Sequence, residues 1–188
     1  MRSGATTKER IERSALRLFV EQGVTETSIR EIASEAGVSQ GAMYNHYASK
    51  EDLAWALFAE NFSEIGLELR QRAHEHETLE GKLRAMIRYV FERFEGDWVL
   101  VSYVFLVRHH YLKKIDRKLG NPYMVFRGVV TTAMTHGEIP RRDPDVATSL
   151  VIGAIIQVID TKILGNIKAR LSSLSDEVAA SCRRTLGG

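Results

Sequence analysis

Residues 27–53 read TSIREIASEAGVSQGAMYNHYASKEDL, and this stretch decides the fold of the N-terminal part of the chain. Ser28, with a glutamate three residues later, has the pattern of a capping box that begins a helix. Gly37 is placed to end that helix, because glycine readily adopts the left-handed conformation that follows a helix end. A second, short helix is predicted over residues 39–44. The spacing therefore predicts two helices joined by a glycine-containing turn, which is the helix-turn-helix arrangement.

The two predicted helices carry the residue types that a DNA-reading motif needs. Ala33 and Ala36 are small enough to let the helices cross closely. The second helix must present polar groups if it is to enter a major groove. Those groups are supplied by Gln40, Tyr44, Asn45 and His46. Many helix pairs share this pattern without binding nucleic acid, so the motif alone leaves both interpretations open.

The rest of the chain is also predicted to be helical. Ile11, Ala15, Leu18 and Phe19 follow the spacing of one helix face. No alternating β-branched runs with hairpin turns occur, and the first 121 residues contain no proline. The helices predicted after the motif cover 49–73, 79–95, 98–112, 123–136, 145–164 and 174–185. The fold class predicted from these patterns is all-α.

Charge gives only a weak indication of a nucleic-acid partner. The 188 residues contain 26 Lys and Arg against 24 Asp and Glu, for a formal net charge of +2. Positive charge gathers in the first twenty residues, where Arg2, Lys8, Arg10, Arg13 and Arg17 could lie along a DNA backbone. With so few placed charges, we expect only a modest salt dependence of DNA binding.

The remaining composition excludes several other classes of protein. Cys182 is the single cysteine, so an intrachain disulfide and a zinc site of several thiolates are excluded. No metal and no cofactor are predicted. The N-terminus lacks the apolar core of a signal peptide, which favours a cytoplasmic protein. The longest apolar run, residues 150–159, is too short to span a bilayer, so no membrane partner is expected.

The motif and its flanks resemble a known family. The agreement in order and spacing covers roughly the first 60 residues, and the resemblance is to the TetR family of bacterial transcriptional regulators. That family usually has Phe where Tyr47 stands. The resemblance implies a three-helix DNA-binding domain at 1–50 and a helical effector-binding and dimerisation domain at 51–188, linked by a helix from about residue 50. The matching positions are Leu18, Phe19, Gly23, 27–47, Lys50 and Leu53.

The resemblance also implies a set of DNA contacts. Gln40 can pair with adenine, and the methyl group of Ala42 can touch a thymine methyl. The hydroxyls of Thr27 and Ser28 either bind a phosphate at a helix N-terminus or serve only as helix caps. The complete expected set is Thr27, Ser28, Ser39, Gln40, Gly41, Ala42, Tyr44, Asn45, His46 and Lys50.

A dimer is expected because one short recognition helix reads few base pairs, so a two-fold symmetric site needs two copies. The helix at 145–164 is apolar on nearly every side and must be covered on more than one side. In the family, the last two long helices of each subunit pair into a four-helix bundle. The expected homodimer interface is Ala147, Leu150, Val151, Ala154, Val158 and Thr161. The helix also has a second apolar stripe, so the sequence leaves open which of the two stripes faces the partner subunit. The second stripe is Ile152, Ile155, Ile156, Ile159 and Ile163.

Aromatic side chains concentrate in the middle of the chain, where family members enclose a small, often hydrophobic ligand. Such pockets are mostly apolar with a few polar groups. The residues expected to bind an unidentified small-molecule effector are Phe91, Trp98, Tyr103, His109, Phe126 and Gln157.

The sequence thus predicts a sequence-specific DNA-binding regulator, in the form of a repressor released from a palindromic double-stranded operator by a small-molecule effector. One alternative is an activator or ligand-independent regulator of the same fold. The other is an all-helical small-molecule carrier or enzyme. No nucleophile elbow, phosphate loop or metal constellation is present in the sequence, so an enzyme is not predicted.

Overall fold

The computed structural model describes residues 6–111, 114–115 and 120–187. This part of the chain contains helices and turns but no β-strand, which agrees with the all-α prediction. Its α-helices are α1 (Thr7–Gln22), α2 (Ile29–Ala36), α3 (Gln40–Tyr44), α4 (Lys50–His74), α5 (Leu79–Gly96), α6 (Trp98–Tyr111), α7 (Pro122–Thr135), α8 (Pro144–Ile163) and α9 (Ser175–Thr185).

Side-chain caps fix where the N-terminal helices begin. Ser28 and Glu31 form the predicted capping box: the Ser28 hydroxyl accepts from the Glu31 amide at 3.2 Å, and the Glu31 carboxylate accepts from the Ser28 amide at 2.7 Å. Ser49 precedes α4 and accepts from the amide of Asp52 at 3.0 Å. These short-range contacts satisfy backbone N–H groups that have no partner inside the helix. They explain why the predicted helix starts agree with the structure.

The described residues divide into two compact units. The first comprises residues 6–61 with 98–111 and 114–115. In it α1 packs against both α2 and α6. Tyr103 of α6 is fully buried and stacks on Phe19 of α1. Packing therefore joins α6 to α1, which also packs on α2, whereas the sequence predicts a domain boundary at residue 50. The functional division at that boundary remains a prediction.

The second unit comprises residues 62–97 and 120–187, in which α5 packs on α9 and α7 packs on α8. α8 is the one helix of the described residues that is long and apolar enough to cross a membrane by length and composition. One stripe of α8 is buried within this unit, so part of its apolar character belongs to the protein core. The stripe repeats every four residues and consists of Ala147, Val151, Ile155 and Ile159.

A single 3-10 turn, Leu171–Leu174, leads into α9 and is held by Glu95 from the end of α5. The Glu95 carboxylate accepts from the Ser172 hydroxyl at 2.7 Å and from the Arg170 guanidinium at 3.4 Å. Partial burial raises the pKa of Glu95. The hydrogen bonds from Ser172 and the Leu171 amide, with the charge of Arg170, outweigh that effect and hold the pKa below its ordinary value.

Replacing Glu95 with glutamine is expected to lower the free energy of unfolding by about 1–2 kcal/mol at neutral pH, because hydrogen bonds to a charged acceptor are lost. The folded-state pKa is depressed, so this stabilisation is present above the unfolded-state pKa. It disappears as the pH falls through the folded-state pKa. Urea denaturation at about pH 7 and about pH 3 measures the difference. Glu92→Gln, an exposed change on the same helix, is the control; an equal loss at both pH values would contradict this account.

Candidate nucleic-acid interface

The turn between α2 and α3 depends on Gly37, which has a left-handed conformation with φ 64° and ψ 41°. The Gly37 amide donates to the Ser34 carbonyl at 3.2 Å, and the Val38 amide donates to the Ala33 carbonyl at 2.9 Å. These bonds satisfy the last carbonyls of α2 and send the chain directly into α3. A side chain at position 37 would be strained in this conformation, so the glycine fixes the angle between the two helices.

The inner face of the motif is apolar and buried. Ile32 and Ala33 of α2 and Met43 of α3 are excluded from solvent, together with Tyr47 just after α3. On the other side of this core, α1 contributes Ile11, Ala15 and Phe19. The motif is therefore packed on a third helix, as a stable helix-turn-helix domain requires.

The outer face of α3 carries the polar groups predicted for DNA contact. Ser39, Gln40, Gly41, Asn45 and His46 are exposed, and Ala42 is half-buried. Tyr44 leaves 55% of its surface in solvent, although it is one of the few large apolar residues outside the core. The Ser39 hydroxyl also accepts from the Ala42 amide at 3.1 Å and so caps α3. These side chains are free to reach base edges and phosphates, and their DNA contacts remain predictions.

Thr27 lies inside the structure rather than on the DNA-facing surface. It is 1% exposed, and its hydroxyl donates to the Gly23 carbonyl at 2.7 Å and accepts from the Gln22 amide group at 3.3 Å. The hydroxyl thus closes the turn after α1, and the expected phosphate contact of Thr27 stays a prediction. A polar residue just before a helix indicates a phosphate contact, but the sequence does not show that the Thr27 side chain is buried.

Ser28 is exposed at the N-terminus of α2, where a phosphate could approach. The same helix end already holds the carboxylate of Glu31. The hydrogen bonds from Ser28 hold the pKa of Glu31 below its ordinary value, so the carboxylate is charged at neutral pH. A negative charge already satisfies the helix end there, and this makes it a weaker anion site than a free helix N-terminus.

Lys50 makes contacts that the sequence did not indicate. Its ammonium donates to the carbonyl of Thr27 at 2.8 Å and to that of Thr25 at 3.0 Å. An ammonium group has three donors, so one remains for a phosphate. Lys50 thus ties the first turn of α4 to the loop that leads into α2, in addition to its predicted role at DNA.

The basic residues of α1 are largely engaged within the protein. Lys8 pairs with Glu12 at 3.4 Å, and the Arg10 guanidinium donates to the Gly37 carbonyl at 3.3 Å. Arg17 forms an ion pair with Glu35. Arg2, the remaining candidate before α1, lies outside the described residues. These pairings reduce the number of full charges free to neutralise phosphates.

Three of the residues predicted to bind an effector belong to the second unit. Phe91 of α5 and Phe126 of α7 are buried, whereas Gln157 is exposed on α8. The two rings therefore form part of the packed interior of this unit, and a ligand could reach them only if neighbouring side chains moved.

The other three predicted effector residues lie on α6 in the first unit. Trp98 is 53% exposed and His109 is also exposed. Tyr103 is buried, and its hydroxyl donates to the Ala54 carbonyl at 2.6 Å. The ring and the hydroxyl of Tyr103 join α6 to α1 and α4, and its predicted contact with an effector stays a prediction.

The predicted dimer residues separate into two groups. Ala147 and Val151 belong to the buried stripe of α8, so their side chains pack in the protomer's own core, and their place in an interface stays a prediction. A groove of about 270 Å³ lies between α8 and α9. Its α8 wall is Leu150, Val151, Ala154 and Val158, and its α9 wall is Glu177, Val178, Ser181, Cys182 and Thr185. Thr161, one turn further along, is half-buried.

Two helices joined by a turn at a glycine pack on a third helix, and the second of them presents an exposed polar face. This arrangement defines a DNA-binding protein of the helix-turn-helix class. Residues 11–57 match the family model of bacterial regulatory proteins, tetR family. Residues 11–57 therefore form a DNA-binding domain of the TetR family, and the chain is a DNA-binding transcriptional regulator.

The similar proteins differ in how much of the chain they cover. The fatty acid metabolism regulator protein of Bacillus subtilis (strain 168) is 27% identical over 170 residues, which are 88% of each chain. The HTH-type transcriptional regulator AcrR of Shigella flexneri is 45% identical over 69 residues, which are 35% of this chain and 32% of that protein. The second match is thus confined to about a third of each protein, whereas the first extends well beyond the DNA-binding motif.

Two solved structures share the whole fold. FadR from Bacillus subtilis in complex with stearoyl-CoA has a TM-score of 0.72 and 23% identity, covering 92% of this chain and 96% of that one. FadR from Bacillus halodurans has a TM-score of 0.75 and 19% identity, covering 97% of both. These likenesses confirm the all-helical architecture along nearly the full length.

Proposed function

We propose that this protein is a cytoplasmic repressor that binds a palindromic operator as a homodimer and is released by a small-molecule effector. The observation that carries the proposal is the outer face of α3, where exposed polar groups project from a motif whose inner face is fully packed. Gln40 and Ala42 are proposed to read bases, and Ser28, Tyr44, His46 and Lys50 to hold phosphates.

The homodimer is proposed to form through the groove between α8 and α9. Leu150 is 44% exposed there, next to Ala154 and Val158, and the apolar surface continues through Val146 and Leu164 at the two ends of α8. An exposed apolar strip of this length is typical of a surface that a partner covers. A second copy supplies the same strip and the second recognition helix.

The effector is proposed to be a long-chain acyl-CoA thioester. The Bacillus subtilis fatty acid metabolism regulator matches 88% of this chain, so the similarity includes the half that lies outside the DNA-binding motif. One solved relative holds stearoyl-CoA. The buried rings of Phe91 and Phe126 provide apolar surroundings of the kind that an acyl chain needs.

Release is proposed to be a population shift carried by α4. This helix runs without interruption from Lys50 to His74, so its first turns belong to the first unit and its last turns to the second. Lys50 holds the loop before α2 through two carbonyls, and a tilt of α4 would therefore displace the motif. The effector must bind the released form more tightly than the DNA-bound form.

The test is to select bound fragments from the genome of the source organism and to titrate the recovered duplex against a random duplex of equal length. We expect the operator to be preferred by roughly 10³-fold or more. The log–log salt slope should be clearly shallower than about −10, the figure known for lac repressor, because few cations are free. No preference over random DNA would contradict the repressor and favour a ligand carrier.

The effector is tested on the same operator complex by adding palmitoyl-CoA, with CoA and palmitate as separate controls. Palmitoyl-CoA should release the duplex while either control leaves it bound. Release by palmitate alone would overturn the thioester while leaving the operator result intact.

A further inference from the structure

Tyr47 makes a part-buried polar contact with α1 that lies outside the predicted DNA-contact set. It lies three residues after α3, and its side chain is almost entirely excluded from solvent. Its hydroxyl donates to the Glu12 carboxylate of α1 at 2.5 Å. Burial raises the pKa of Tyr47, and the hydrogen bond to Glu12 raises it further, so the phenol keeps its proton and remains a donor.

The hydroxyl is not required to fill space. A phenylalanine ring has the same shape, and it would fill the same buried position without a polar atom to satisfy. Burying a hydroxyl costs free energy unless it finds a partner. The structure provides that partner from a different helix, 35 residues earlier in the chain.

α1 contacts the chain on both sides of α3. Glu12 receives the Tyr47 hydroxyl after α3, and Arg10 donates to the Gly37 carbonyl before it at 3.3 Å. Glu12 also pairs with Lys8, which limits the carboxylate to few orientations. The two polar contacts lie on either side of the exposed residues Gln40 and Tyr44, so they define how α3 is oriented against α1.

We propose that Tyr47, acting through Glu12, is a positioning residue for operator recognition. It does not touch DNA; it fixes the angle at which α3 presents Gln40 and Ala42 to the bases. This inference rests on operator binding as proposed above. A small rotation of α3 weakens base contacts, which need close geometry, more than it weakens contacts with phosphates.

The test compares Tyr47→Phe with wild type on the selected operator and on a random duplex of equal length. We expect affinity for the operator to fall roughly tenfold, with affinity for random DNA and the salt slope unchanged, because no phosphate contact is removed. Tyr89→Phe, which removes a hydroxyl from a half-buried ring on α5, is the matched control and should leave both affinities as they are.

Glu12→Gln supplies an independent variant, since the amide keeps the shape and a weaker acceptor. The double variant Tyr47→Phe with Glu12→Gln should bind the operator no more weakly than Tyr47→Phe alone, because both changes remove one interaction. Additive losses would overturn the proposal. So would a Tyr47→Phe protein with a lower melting temperature but an unchanged ratio of operator to random affinity, which would mark a purely structural contact. Failure to recover any operator would instead overturn the proposed function.

Discussion

Gly66→Ala is expected to destabilise the protein by about 3 kcal/mol, at the upper end of what overpacking costs. Gly66 is buried in α4 within the second unit, against the backbone of Gly120. A methyl group at position 66 would overlap the carbonyl oxygen and carbon of Gly120 and lie 3.0 Å from its Cα. Those are backbone atoms, which cannot rotate away as the end of a side chain can.

Gly120 has no room to retreat. Its φ of +87° lies in the left-handed region that favours glycine, and a methyl group there would lie 3.1 Å from the Cα of Ser63 on α4. The close approach is therefore reciprocal, and each glycine allows the other backbone to lie near it. Helix α4 is thus held in the second unit by a contact that has no tolerance for a side chain.

The measurement is urea denaturation of Gly66→Ala beside Gly128→Ala. Gly128 lies in the middle of α7, is exposed and has nothing within 4 Å of its added methyl group. The control should be more stable than wild type by about 0.5–1 kcal/mol, because alanine favours a helix interior. If Gly66→Ala were as stable as its control, the close approach of the two backbones would not exist in solution.

Local chemistry explains why most helices were predictable. The start of α2 follows from Ser28 and Glu31, and its end follows from Gly37, all within ten residues of one another. Such signals act before any tertiary contact forms. The 3-10 turn at Leu171–Leu174 carries no comparable signal, because it is held by Glu95 from 77 residues earlier in the chain.

Tertiary packing decides the burial of several predicted site residues, and the sequence does not show it. Tyr103 lies in an aromatic-rich segment that predicts a ligand pocket, but its hydroxyl donates to the Ala54 carbonyl inside the first unit. Thr27 had the position of a phosphate contact, but the turn after α1 buries it. On α8, apolar residues on nearly every side left the buried stripe undetermined, and only packing against neighbouring helices selects Ala147 and Val151 for the core. Exposed residues of α3 were easier to identify, because a short polar helix face needs no distant partner.

Leu150→Glu is expected to separate the proposed homodimer and to weaken operator binding by roughly 100-fold or more, since linking two binding modules raises avidity by that order. Leu150 is 44% exposed and lines the groove between α8 and α9, so a carboxylate there costs little in the isolated protomer. In a two-fold interface the same change occurs twice, and it buries two unpaired charges.

Leu67→Glu is the matched control, because Leu67 is 47% exposed on α4 and the substitution has the same size and charge. Analytical ultracentrifugation should show a dimer for wild type and Leu67→Glu, and a monomer for Leu150→Glu with an unchanged helical circular dichroism spectrum. Affinity for a duplex carrying a single half-site should be the same for all three, because the recognition helices are intact. A Leu150→Glu protein that stays dimeric and binds the full operator normally would place the interface elsewhere. A monomeric wild type that still selects a palindromic site would show that the two copies meet only on DNA.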